Sequence, residues 1–274
     1  MSIKTERLLS RAKKLAKNGE DKKAKEIYSN ILKAFPDNQT AKKEFKLLTN
    51  EKGVNPSQLQ LNEVMKLYET GNIKQALDYV ESLIKDYPNE SLLFNICGAC
   101  HSETGSIELA IENFKKAIAL KIDYSEAQFN LGVAFQKLNQ LDNAKEYYLQ
   151  AIHSQHAYPS AHNNLGIIFL NKGRIDAAVK SFEWAIAYSP NYAEAYNNLG
   201  SALQELKQFK NAKKQFEKAC SINPNYAQAF HNLGILSQII NQPKDAVSHY
   251  ERAVEIEPEF AEAYRNLSKV KKFK

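Results

Sequence analysis

A glycine recurs along this chain at a constant spacing of 34 residues, and this period constrains the fold more than any other feature. An alanine and a large, mostly aromatic side chain recur with the same period. If each glycine is counted as position 8 of its unit, six units follow one another without insertion from residue 57 to residue 260. Such a period indicates a stacked repeat array. The recurring residues are Gly98, Gly132, Gly166, Gly200 and Gly234 at position 8; Ala76, Ala110, Ala144, Ala178, Ala212 and Ala246 at position 20; and Val80, Phe114, Tyr148, Phe182, Phe216 and Tyr250 at position 24.

Within each unit the apolar residues have helical spacing. In residues 193–226 two amphipathic stripes follow each other, and glycine stands between the corresponding stripes of three other units, where it suits a left-handed helix C-terminus. Proline near the end of the second stripe stops that helix. Each unit is therefore predicted to be a helical hairpin. The two stripes comprise Tyr196, Leu199 and Leu203, and then Phe209, Ala212, Phe216 and Ala219.

Positions 4, 7, 8, 11, 20, 24, 27 and 32 carry the recurring residues in a pattern that resembles the tetratricopeptide repeat. The resemblance covers residues 57–264 and is weaker in 57–90, where Glu63 and Val64 replace a Leu-Gly pair. It implies an all-α fold, a right-handed α-solenoid superhelix of 34-residue antiparallel helix hairpins.

The pattern predicts three regions. Residues 1–56 are expected to form a basic N-terminal hairpin of similar type, followed by a helix and a linker, and residues 261–274 a C-terminal capping helix. The six units between them are 57–90, 91–124, 125–158, 159–192, 193–226 and 227–260.

Asparagine recurs at position 6 and is interrupted only by Ile96. The family resemblance implies that first helices line a concave groove into which position 6 points, as in the asparagine ladder of the similar O-GlcNAc transferase superhelix. Because a side-chain amide both donates and accepts, such a row can bind peptide backbone whatever its side chains are. The alternative is that duplication copied the residue along with the repeat. The asparagines are Asn62, Asn130, Asn164, Asn198, Asn232 and Asn266.

Further groove candidates at positions 5 and 12 are neutral, and position 2 is glutamate in three units. An extended, neutral to mildly basic protein segment is therefore the expected partner. Chaperone-binding tetratricopeptide domains hold a carboxylate with a set of lysine and asparagine residues, and the six units lack this set. The additional groove candidates are Asn163, Asn197, Phe129, Gln136, Gln204 and Gln238, and the glutamates are Glu126, Glu194 and Glu262.

Net charge argues against nucleic acid as the ligand. The total is +6, but residues 1–53 carry +7 and residues 265–274 carry +5, which leaves the repeated body at −6. A nucleic-acid surface would concentrate positive charge along the body. The sequence shows no membrane-spanning run or signal segment, and its three cysteines are too few for a disulfide framework, so a cytoplasmic location is expected.

Several residues are of types that can take part in redox or metal chemistry. Cys97 and Cys100 form a C-x-x-C, but they occupy packing positions 7 and 10 of a first helix, so packing is favoured over redox or zinc chemistry. Surface or packing roles are likewise expected for His153, His156 and His162. Trp184 occupies a solvent-facing position of a second helix. No catalytic, cofactor or metal site is predicted.

The sequence therefore predicts a non-enzymatic scaffold that binds an extended peptide segment in a concave groove. The alternative is an accessory repeat region of a glycosyltransferase or sulfotransferase polypeptide whose catalytic domain lies outside these residues. The lysine-rich first hairpin and the closing "RNLSKVKKFK" resemble the front ends of such polypeptides.

Overall fold

The computed structural model describes residues 3–17, 20–48 and 56–272, which form sixteen α-helices and no β-strand within those ranges. Most of the predicted linker, residues 49–55, lies outside the described residues. The helices are α1 (Ile3–Lys17), α2 (Asp21–Ala34), α3 (Gln39–Leu48), α4 (Gln58–Glu69), α5 (Ile73–Asp86), α6 (Ser91–Glu103), α7 (Ile107–Leu120), α8 (Ser125–Lys137), α9 (Leu141–Ser154), α10 (Pro159–Asn171), α11 (Ile175–Tyr188), α12 (Ala193–Glu205), α13 (Phe209–Ile222), α14 (Ala227–Ile239), α15 (Pro243–Ile256) and α16 (Ala261–Lys272).

The chain divides into two compact units, Met1–Ile96 and Cys97–Lys274, and the division falls inside α6. In the first unit α1, α2 and α3 enclose a small core, while α4 and α5 form a hairpin around Val64, Ala76 and Val80. The core of the first three helices consists of Leu9, Ala12, Ala24, Tyr28, Ile31 and Ala41.

In the second unit each hairpin packs against the next. The pairs α8–α9, α10–α11, α12–α13 and α14–α15 are the hairpins, and each second helix contacts the first helix of the following unit. The cores accordingly run across unit boundaries. One of them contains Phe182 together with Phe216 and Leu233, which belong to three successive units. The prediction of an all-α solenoid of helix hairpins is confirmed for the described residues.

The turn inside each hairpin is left-handed at position 15. Glycine occupies it in three units, with φ between 70° and 81°, and Asn139, Lys207 and Asn241 occupy it in the others, with φ between 56° and 59°. The next N–H donates to the carbonyl five residues earlier, as from Gln140 to Phe135 at 2.9 Å, which is the hydrogen bond of a Schellman motif. The sequence predicted this left-handed turn only in the units that have glycine at position 15.

The two helices of a hairpin cross where the recurring glycine meets the recurring aromatic ring. A Cβ placed on Gly200 would lie 2.6 Å from Cε1 of Phe216, and one on Gly234 would lie closer still to Cε1 of Tyr250. The ring therefore fills the volume that any larger residue would need. Both rings are almost completely buried, so they have no open space into which to move.

We expect Gly200→Ala to lower the free energy of unfolding by about 1–3 kcal/mol, because its methyl group overfills the contact with Phe216. In a Phe216→Ala background the same change should instead raise that free energy by up to about 1 kcal/mol, because alanine is the better helix former. Urea unfolding followed by circular dichroism measures both values. A Gly200→Ala effect of the same sign in both backgrounds would contradict this account of the crossing.

Candidate functional site

First helices of neighbouring units lie side by side in the second compact unit and form a surface that we call the first-helix face. It comprises α8, α10, α12, α14 and α16, and α12 contacts both α10 and α14 directly. The position-6 asparagines lie half-buried along it, whereas Asn62 is exposed on α4 and accepts a hydrogen bond from Nε2 of Gln58 at 2.8 Å. The half-buried members are Asn130, Asn164, Asn198, Asn232 and Asn266.

Two of these asparagines donate a hydrogen bond to an asparagine at position 5 of the preceding unit. Nδ2 of Asn198 lies 3.0 Å from Oδ1 of Asn163, and Nδ2 of Asn232 lies 2.8 Å from Oδ1 of Asn197. In both pairs the partners stand 35 residues apart. The amides are thus held in one orientation by the neighbouring first helix.

The same connection continues to the capping helix with histidine as the acceptor. Nδ2 of Asn266 lies 3.1 Å from Nε2 of His231, which accepts when Nδ1 carries the proton. The imidazole is buried, and its centroid lies 4.8 Å from that of the Phe260 ring and 5.6 Å from that of the Tyr250 ring. Burial lowers the pKa of His231, and the Glu262 charge partly opposes this shift.

Most position-5 side chains lie beneath the surface rather than on it. Asn163 is 2% exposed and Asn197 is 4% exposed, so the expectation that they line the groove directly is replaced by a supporting role. Phe129 is half-buried, with its ring centroid 5.6 Å from that of Tyr148 and 5.1 Å from that of Tyr158. Sequence spacing could not reveal this, because the inclination of each first helix against its neighbour decides which side chain is covered.

Tyrosine at position 24 carries a hydroxyl from the helix crossing to the first-helix face. Tyr148 Oη donates to Oε1 of Gln136 at 2.7 Å and accepts from Nδ2 of Asn164 at 3.2 Å. Tyr250 Oη donates in the same way to Gln238. Burial raises the pKa of Tyr148 to about 12, so its hydroxyl remains a donor. Tyrosine at position 24 together with glutamine at position 12 of the same unit would have indicated this hydrogen bond from the sequence.

Gln204 has no such hydroxyl beside it, since position 24 of its unit is Phe216. Within the described ranges its half-buried amide forms no side-chain hydrogen bond. The three position-12 glutamines that the sequence grouped together therefore differ, because two are engaged by tyrosine and Gln204 is not.

The predicted rim glutamates, Glu126, Glu194 and Glu262, are all exposed. Burial raises the pKa of Tyr226 to about 12, and the nearby Glu194 charge contributes in the same direction. This carboxylate therefore makes the local potential negative.

Both cysteines of the C-x-x-C are buried. Cys97 and Cys100 are 2% and 0% exposed, and burial raises the pKa of the Cys100 thiol to about 11, which disfavours a reactive thiolate. His162 is buried, and its Nε2 lies 3.1 Å from the His156 carbonyl oxygen. Burial lowers the pKa of His162.

Trp184 is 53% exposed on the second helix α11, and its ring stacks on Tyr188 with centroids 5.7 Å apart. Among the described residues, no helix is long and apolar enough to cross a bilayer.

Comparison with protein families identifies the repeat in the second compact unit. A model described as Tetratricopeptide repeat matches residues 193–226 and 227–260, and another of the same description matches residues 129–182. A model described as TPR repeat matches residues 102–139 and 168–207. The matched segments together run from residue 102 to residue 260, which is more than half of the chain.

One curated relative is the peroxisomal targeting signal receptor of Saccharomyces cerevisiae, which is 28% identical over 92 residues, or 34% of this chain and 15% of the receptor. Two similar solved structures are YrrB, a TPR protein with an unusual peptide-binding site, and Pseudomonas aeruginosa pilF. YrrB has a TM-score of 0.55 at 19% identity, covering 68% of this chain and 96% of its own. For pilF the TM-score is 0.69 at 16% identity, covering 79% and 96%. At these identities the two structures support the fold.

We expect the hydrogen bond between Asn163 and Asn198 to appear as coupling in a double-mutant cycle. Each single alanine change should cost about 1–3 kcal/mol, because a buried polar partner loses its hydrogen bond, and the coupling should be about 0.5–1.5 kcal/mol. The control cycle combines Asn163→Ala with Asn232→Ala, which are not bonded to each other and should be additive. Additivity of the Asn163 and Asn198 changes, measured by urea unfolding, would be inconsistent with this contact.

The lowered pKa of His231 predicts a pH-dependent stability. As the pH falls through about 6.5, the unfolded chain protonates before the folded one, so the free energy of unfolding decreases, and the loss ends below the folded pKa. His231→Asn places at this position the residue of the two preceding units, so it should keep the bond to Asn266 while reducing the loss of melting temperature between about pH 7.5 and pH 5. His153→Asn, at an exposed position, is the control. An equal loss in His231→Asn and wild type would exclude this contribution.

Proposed function

Because this chain belongs to the tetratricopeptide-repeat family, we propose that it is a protein-interaction scaffold whose first-helix face binds an extended peptide segment along its asparagines. The observation that carries the proposal is that Asn198, Asn232 and Asn266 are each oriented by a hydrogen bond to the preceding unit. Amides fixed before binding lose less conformational freedom when a ligand arrives.

Each oriented amide keeps binding capacity. Asn198 uses one N–H towards Asn163, which leaves its second N–H and its carbonyl oxygen for a ligand. A peptide offers the complementary N–H and C=O at every residue, so backbone recognition needs no particular side chain. Packed helices lie about 8–10 Å apart and an extended peptide advances about 3.3 Å per residue, which gives roughly one asparagine for every three ligand residues.

The matched relatives support a binding role of this general kind. YrrB has a peptide-binding site, and the yeast relative is a receptor, although the matched stretch is only 15% of that receptor. We propose that the first-helix face binds rather than catalyses, with protein rather than nucleic acid or membrane as its partner. Should the chain serve a transferase polypeptide, the same face would hold that enzyme's protein substrate.

Alanine substitution is an imperfect probe of this face, because removing the amide of Asn198 or Asn232 also leaves a buried asparagine without its donor. Modification of the ligand avoids this effect. We therefore expect that a peptide selected from a random display library, and methylated at one backbone nitrogen at a time, will lose about 0.5–1.5 kcal/mol of affinity at roughly every third residue. Isothermal titration calorimetry gives these losses.

The control is an alanine scan of the peptide's side chains at the same residues, which should not reproduce the period. A scan of N-methyl peptides that is flat, or that follows the alanine scan, would count against backbone recognition by the asparagines. A selected peptide that binds a different surface of the protein would also give a flat scan, and it would fail to protect the first-helix face in hydrogen exchange.

A further inference from the structure

On the first-helix face, position 9 is apolar on α8, α10 and α14 but polar on α12 and on the capping helix α16, where it is Lys269. Val133, Ile167 and Ile235 are half-buried at this position of α8, α10 and α14, whereas α12 has Ser201. The Ser201 hydroxyl donates to the Asn197 backbone carbonyl at 3.2 Å. The surface of α12 therefore lacks the apolar contact that its neighbours offer.

At position 12 the difference lies in how the side chain is engaged, since α8, α12 and α14 all carry glutamine. Leu170 is half-buried on α10, but α12 carries Gln204, whose amide forms no side-chain hydrogen bond in the part of the chain that the structure describes. Its counterparts Gln136 and Gln238 are engaged by tyrosine hydroxyls. Gln204 consequently has an amide carbonyl available to a ligand.

Two carboxylates lie on the same stripe of α12. Glu194, Asn198, Ser201 and Glu205 follow one another at helical spacings of four, three and four residues, so they share one side of the helix. Both glutamates are exposed, and neither forms a salt bridge within residues 3–17, 20–48 and 56–272. On the neighbouring helices the residues equivalent to Glu194 and Glu205 are uncharged. They are Ser160 and Asn171 on α10, and Gln228 and Ile239 on α14.

We propose that α12 is a specificity site that accepts an arginine or lysine side chain of the bound segment, between two apolar side chains that contact Ile167 and Ile235. This proposal rests on the proposed function and adds the chemistry of the ligand to it. A cation with several N–H donors matches the acceptors of Glu205 and Gln204, whereas an apolar side chain would cover them without replacing their hydrogen bonds to water. Glu194 stands eleven residues before Glu205, about 16 Å along the helix, so its carboxylate adds attraction at longer range rather than a second ion pair with the same side chain.

The spacing of the ligand follows from the spacing of the helices. With about 8–10 Å between neighbouring axes and about 3.3 Å per extended residue, the apolar side chains stand about three residues before and after the basic one. The pattern is symmetrical, so it holds for either direction of the bound chain.

The test uses serine-rich peptides that contain one variable residue, with a leucine three residues before it and another three residues after it. The variable residue is arginine, leucine or glutamate. We expect the arginine peptide to bind wild-type protein about tenfold more tightly than the glutamate peptide, since one partly solvated ion pair and the longer-range attraction of the second carboxylate contribute modestly and salt weakens both. Isothermal titration calorimetry at low and high salt measures the affinities.

The double variant Glu194→Gln with Glu205→Gln should bind the arginine and glutamate peptides about equally. Its matched control is Glu183→Gln with Glu217→Gln, two exposed glutamates of the second helices α11 and α13, which changes net charge by the same amount and should keep the preference. The variant Ser201→Ile with Gln204→Leu should instead favour the leucine peptide.

Equal affinity of wild type for all three peptides, with N-methylation still weakening each, would overturn the assignment of α12 and leave the proposed function standing. An arginine preference that survives Glu194→Gln with Glu205→Gln would also overturn it. Failure of every peptide to bind would count against both proposals. Cooperative melting of each variant establishes that the comparison concerns folded protein.

Discussion

The close contact between a glycine on one helix and an aromatic ring on the next is the constraint on which the repeat depends. Because the Phe216 ring already occupies the volume that a side chain on Gly200 would need, the two helices can approach only in one register. That register sets which side chains face the following hairpin. The constant spacing of 16 residues between the two partners in each unit follows from this contact, since insertion of a residue between them would shift one partner against the other.

This contact also links the interior to the binding surface. Where the ring is phenylalanine it serves packing alone, but in Tyr148 and Tyr250 the same buried ring ends in a hydroxyl that organises a glutamine on the first-helix face. A single oxygen atom at a core position thus changes the hydrogen-bonding capacity of the surface. Units that look equivalent by periodicity can therefore present different chemistry to a ligand, as Gln204 beside Phe216 does.

The sequence predicted the helices and their pairing into hairpins, and missed features set by packing between helices, both within a hairpin and between neighbouring units. Helical spacing and the glycine–alanine–aromatic pattern were sufficient for the solenoid, because each is a property of one unit. The left-handed turn at Lys207 escaped detection because the Schellman hydrogen bonds and the packing of both helices impose it on an unfavourable residue type. The burial of Asn163 and its bond to Asn198 escaped because residues 35 apart meet only when neighbouring units are stacked.

The amide pairs between neighbouring units have a mechanical consequence. They lie on the first-helix side, so they act as short links along one edge of the stack. Bending that separates the first helices must stretch these links, because hydrogen bonds weaken steeply with distance, whereas bending in the opposite sense leaves them intact. The array is therefore stiffer against opening of this edge than against its closure, and its elastic response has a direction.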